Sequence, residues 1–138
     1  MTLQIDINCD MGESFGLYTY GHDTNMLPLI SSANVACGFH AGDPTVMRNT
    51  VAGAKANKVK VGAHVGFPDR MGFGRRNMQI PPLELKDHTT YQMGGAGCLC
   101  ESKGTGTPAC KTTRIFVYDG FRRRGHGKGP DRCCRRVR

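Results

Sequence analysis

Residues 32–65 read SANVACGFHAGDPTVMRNTVAGAKANKVKVGAHV and alternate strand, helix and strand. Ser32 to Cys37 is apolar enough for a buried strand and runs into Gly38-Phe39-His40-Ala41-Gly42. Asp43 followed by Pro44 marks a helix start, because a carboxylate accepts from the free first-turn amides and the fixed φ of proline suits the first helical position. The helix is expected from about Thr45 to Asn57, with Val46, Met47, Val51 and Ala54 on one stripe. Val59 to Val65 is the next strand.

The same pattern extends in both directions. Upstream, Leu3 to Asp10 alternates strictly: Leu3, Ile5, Ile7 and Cys9 point one way, and Gln4, Asp6, Asn8 and Asp10 the other. A glycine-punctuated loop and a short helix, Asp23 to Ile30, connect it to the second strand. Downstream, a Gly/Arg-rich loop from Gly66 to Asn77 leads to a helix from Pro81 to about Met93. Strand–helix pairs with short connections predict an α/β fold with three parallel βα units. Ligands bind at the C-terminal strand ends of such folds. Asn8, Asp10 and Glu13 follow the first strand, Asn34 lies on the second with His40 and Asp43 after it, and His64 and Asp69 close the third. A shared site is expected there.

Charge divides the chain in two. Of 19 Lys/Arg and 11 Asp/Glu, residues 1–94 hold eight of each, which leaves eleven basic and three acidic residues for the last 44. No apolar run approaches the ~20 residues of a membrane span, and the start MTLQIDINCD lacks a secretory pattern, so a cytoplasmic, membrane-independent protein is expected. Seven cysteines, an odd number without an export signal, argue against a disulfide scaffold.

The runs DINCDMGESFG (6–16), SANVACGFHAGDP (32–44), VGAHVGFPD (61–69) and GFGRRNM (72–78) resemble the LamB/YcsF family, whose members are also called the A subunit of 5-oxoprolinase. The resemblance covers residues 3–94. It implies the beginning of a (β/α) barrel of the glycoside hydrolase/deacetylase type, three βα units of an incomplete whole, since a closed eight-fold barrel takes roughly 250 residues. It also implies ATP-dependent opening of 5-oxo-L-proline to L-glutamate, carried out with the B and C partner subunits of 5-oxoprolinase. The 138-residue chain alone is expected to be inactive, poorly folded and aggregation-prone.

Within that frame Asp10, Glu13, His40 and His64 are the catalytic candidates. Asn8, Asn34, Asp43, Arg75 and Arg76 are substrate-binding candidates. Asp10, His40 and His64 together could hold a divalent metal, since imidazole and carboxylate are the donors such ions take. Asp43 has an equal account as a helix cap, and Asp6 or Asn8 as loop-fixing hydrogen-bonders. GFGRRN (72–77) offers glycine backbone and Arg75 and Arg76 to an anion. Cys37 reads as a buried small apolar group rather than a nucleophile. No G-x-x-x-x-G-K-[ST] phosphate loop occurs, so ATP falls to other residues or to the partner subunits.

Residues 95–138 read differently. They hold eight glycines, five cysteines, eight arginines and six residues of the set Ala, Val, Ile and Leu, and are expected to be a disordered basic tail without a core. A single-base frameshift near Gly94 to Ala96 is the expected cause. Written as TGC AAA ACC ACA CGG ATC TTT, Cys110 to Phe116 starts one base later as A-K-P-H-G-S, and KPHG belongs to the next motif of the family. Zinc binding by Cys98, Cys100, Cys133, Cys134 and His126 lacks a repeated C-x-x-C spacing. Specific nucleic-acid binding by Arg122 to Arg124 and Arg132 to Arg138 lacks an aromatic stacking pattern. The alternatives to the lactam reading are a metal-dependent deacetylase or amidohydrolase of related fold, and a polyanion binder acting through the tail.

Overall fold

Small and β-branched residues at 33, 35, 61, 63 and 65 form the centre of a parallel sheet, where two-sided burial rewards side chains that pack closely on a pleat. The computed structural model describes residues 5–104 and the backbone of 109–112. Its elements are β1 (Asn8–Met11), α1 (Asp23–Met26) with a 3-10 turn (Leu27–Leu29), β2 (Ser32–Ala36), α2 (Pro44–Ala56), β3 (Lys60–Val65), α3 (Pro82–Lys103) and β4 (Ala109–Thr112). The strands lie in sequence order and every neighbouring pair is parallel.

Register separates the two faces. Cys9, Ala33 and Val61 align, as do Met11, Val35 and Ala63; this face packs against Met47, Val51 and Ala54 of α2 and Ala96 and Cys100 of α3. The other face carries the aligned rows Asn8, Ser32 and Lys60, then Asp10, Asn34 and Gly62, then Ala36 and His64. The α-helices therefore cover the apolar face, and the polar face is left to chemistry. The start of α2 follows its sequence signals: Asp43 Oδ1 accepts from the amides of Thr45 at 2.8 Å and Val46 at 2.9 Å, with Pro44 in the first turn.

Two elements differ from expectation. The strand expected over Leu3 to Asp10 is Asn8–Met11, and Ile5 and Ile7 are 86% and 53% exposed. β2 starts opposite Asn8, so residues 5–7 have no partner strand on which alternation could act. Residues 1–4 lie outside the described part.

The helix expected to end near Met93 runs to Lys103, where Gly104 adopts a left-handed cap with φ 66° and donates to the carbonyls of Cys100 and Glu101. The boundary expected after Gly94 thus falls inside α3. Thr89, Gln92, Ala96 and Cys100 are buried at spacings of three and four, so a helical period continues where none was read. Gly94, Gly95 and Gly97 obscure it, each disfavouring a helix interior by up to about 1 kcal/mol relative to Ala. β4 then adds a strand beside β3, with Lys111 in register with His64. The disorder expected from residue 95 is thus not found over 95–104, which complete α3 and its cap; residues 113–138, and with them Cys133, Cys134, His126 and the arginine runs, lie outside the described residues.

Candidate active site

The polar face of the sheet delivers its side chains to the C-terminal rim. Asp10 sits near the end of β1 and Glu13 just beyond it; His64 is the penultimate residue of β3; His40 comes from the loop after β2. The carboxylates of Asp10 and Glu13 each lie 4.0 Å from His64 Nδ1. The His40 and His64 rings are 4.4 Å apart between centroids, at 59°. All four catalytic candidates therefore meet at one rim.

His40 is held by close packing. The residue is 1% exposed, and its ring meets Phe73 edge-on at 5.6 Å. A Cβ on Gly66 would overlap His40 Nδ1, so only glycine lets the end of β3 approach the ring this closely. Gly66 is fixed in turn by Gln92 of α3, whose buried amide accepts from the Gly66 N–H and donates to its C=O, both at 3.0 Å. Burial pushes the His40 pKa down to about 4, helped by His64, Arg70 and Arg75 and opposed by Asp10. His40 is a neutral imidazole at neutral pH.

The substrate-binding candidates separate. Asn34 is buried on β2 and donates to Asp10 Oδ1 at 2.9 Å and to Asn8 Oδ1, while Asn8 donates to Ser32 Oγ at 2.8 Å. Asn34 thereby orients Asp10, and Asn8 lies one row below the rim. Asp43 has its oxygens committed, Oδ1 to the cap of α2 and Oδ2 to the Gly16 N–H at 2.8 Å. These amides, that of Gly16 foremost, hold its carboxyl below the usual range. It locks the loop after β1 onto α2. Asp6 likewise bonds the hydroxyls of Ser31 and Ser32 at 2.5 and 2.8 Å.

Of the two arginines, Arg75 lines the cleft and Arg76 does not. Arg76 hydrogen-bonds the buried carboxylate of Asp69, which is held down to about 2, chiefly by that bond. The cleft measures about 460 Å³ and is lined by Glu13, Phe15, Tyr20, His40, Arg70 and Arg75, among others.

Three contributors were missed by sequence reasoning. Arg70 donates to the Gly38 carbonyl at 2.6 Å and lies 3.8 Å over the Phe15 ring, joining the loops after β1, β2 and β3. Phe73 walls His40. Gln92 backs Gly66; a glutamine on an otherwise small or apolar helix stripe was its only signal.

Comparison with known proteins accords with this arrangement. A family described as the LamB/YcsF family matches residues 5–112. The chain belongs to the LamB/YcsF family. It is 56% identical over 101 residues to the A subunit of 5-oxoprolinase from Tolumonas auensis, covering 73% of this chain and 40% of that protein. It is also 56% identical over 100 residues to the corresponding 5-oxoprolinase protein of Bacillus cereus, covering 72% and 40%. The crystal structure of the lactam utilization protein from Thermus thermophilus superposes with a TM-score of 0.81 at 43% identity, over 85% of this chain and 47% of that one. The chain spans about 40% of the length of the curated relatives it matches. The LamB/YcsF match takes in all of α3 and β4, beyond the limit at residue 94 drawn from motifs alone. Among the described residues of this LamB/YcsF chain, no helix is long and apolar enough to cross a membrane.

Proposed function

We propose that this chain supplies part of the catalytic rim of an ATP-dependent 5-oxoprolinase, which opens 5-oxo-L-proline to L-glutamate with the B and C partner subunits. The supporting observation is the convergence of Asp10, Glu13, His40 and His64 from three successive strand ends, in a chain so similar to proteins named as the A subunit of 5-oxoprolinase. Opening a lactam requires water to attack a resonance-stabilised carbonyl, hence a base for the water and positive charge or donors for the developing oxyanion. Glu13 and Asp10 are the carboxylates placed to orient or deprotonate that water. Arg75, at the cleft, is a cation suited to the carboxylate of the substrate.

The described residues do not fit a nucleoside triphosphate. The first-turn amides of α2 are taken by Asp43, Arg76 is taken by Asp69, and Arg70 is held by Gly38 and Phe15. ATP binding is assigned to the partner subunits or to residues outside those described. The four described strands fall short of an eight-strand barrel, so turnover by the chain alone is not expected.

The test is a chimera in which residues 5–94 replace the matching stretch of the Bacillus cereus relative. It is assayed with that relative's own partner subunits for ATP-dependent glutamate release. Activity within about tenfold of the parent is expected, with Glu13→Gln or His64→Gln lowering kcat by roughly 10²–10⁴. A folded but inactive chimera, or one indifferent to both substitutions, would overturn the reading. A metal-dependent amidohydrolase is favoured by the histidine–carboxylate grouping and predicts amide cleavage without ATP that a chelator abolishes.

A further inference from the structure

Glu13, His40 and His64 arrive from three separate segments, yet one ligand atom from each lies within 4.8 Å of the other two. His40 and His64 are buried, at 1% and 5% exposure, and neither ring nitrogen of His40 has a hydrogen-bond partner among the described residues. Imidazole is a strong donor and acceptor. Enclosing one while leaving both nitrogens unsatisfied costs free energy unless something else occupies the site.

We infer that Glu13, His40 and His64 bind one divalent cation of the zinc class. Two imidazoles and a carboxylate suit zinc and its transition-metal neighbours, whereas magnesium and calcium take oxygen ligands. Three atoms no more than 4.8 Å apart share a point at most about 2.8 Å from each; zinc–nitrogen and zinc–oxygen bonds of about 2.0–2.2 Å need each side chain to close by less than ~1 Å. Three protein ligands leave a fourth position, and Glu13 and His40 both line the cleft through which water or substrate would reach it. The set differs from the expected Asp10, His40 and His64. Asp10 Oδ1 already accepts from Asn34 and falls outside the three-residue cluster, so Asp10 adds negative charge beside the ion rather than a ligand. Metal binding at this cluster is independent of the ring-opening activity.

The experiment uses the full chain, stripped by chelator under reducing conditions and titrated with zinc, then with cobalt(II). Calorimetry reads affinity and stoichiometry, and the cobalt spectrum reads the ligand type. About one ion per chain is expected, with visible cobalt bands lacking the intense thiolate charge transfer that the seven cysteines would produce. Glu13→Gln and His64→Gln should each weaken zinc at least tenfold while the far-ultraviolet circular dichroism stays unchanged. His22→Gln, at an exposed position before α1, should leave affinity unaltered. Absence of binding, or binding that is lost with Cys→Ser changes and indifferent to Glu13→Gln and His64→Gln, would overturn the inference. Because no substrate is present, failure here leaves the chimera assay standing, and failure of that assay leaves this one standing.

Discussion

Acidification of the metal-free chain should destabilise it through His40. The ring has a pKa of about 4 when folded, against about 6.5 for an exposed histidine, so the unfolded state binds the proton first. The contribution is fully present above pH ~6.5 and is lost as the pH falls towards 4. A difference of about 2.5 units sets a ceiling near 3 kcal/mol, of which about 2 kcal/mol is gone by pH 5. The groups acting on the ring come from every side: His64 on β3, Asp10 on β1, and Arg70 and Arg75 in the loop after β3. Urea unfolding at pH 7.5, 6 and 5 with excess chelator measures the slope, and His40→Gln supplies the reference. The variant should be less stable at pH 7.5 but should lose about 2 kcal/mol less than the parent on going to pH 5. Parallel slopes, or a His40 ring signal titrating near 6.5 by NMR, would refute the argument.

Gln92→Leu keeps the volume but strips the Gly66 amide and carbonyl of their buried partners. It should cost about 2–5 kcal/mol by urea unfolding and raise the His40 pKa by loosening its backing. Gly94→Ala and Gly97→Ala meet nothing within 4 Å of the added methyl, and each should stabilise α3 by about 0.5–1 kcal/mol, read as an upward shift in Tm. Nucleotide sequence across Ala109 to Arg114 should encode KPHG one base out of register; codons that do not would end the frameshift reading.

Much of the site was legible along the chain because strand ends and helix starts are local events. Alternation, the Asp43-Pro44 cap and the spacing of apolar residues are properties of short windows. They placed β2, α2 and β3 within two residues and brought Asp10, Glu13, His40 and His64 to one rim. The length of α3 was not legible, since three glycines argue locally against a helix that burial of Ala96 and Cys100 sustains from outside the window.

Assignment of roles was decided in three dimensions. Arg75 and Arg76 are adjacent and chemically alike, yet one lines the cleft and the other is consumed by Asp69, because loop geometry presents a buried carboxylate to only one of them. Glu13 and Asp10 are three residues apart, yet Glu13 completes the two-histidine cluster while Asp10 is drawn towards Asn34. Sequence by itself determined which residue types reach the rim, since strand parity and order along the chain set that. Tertiary structure alone decided their partners, because hydrogen bonds and burial depend on distances between segments far apart in sequence.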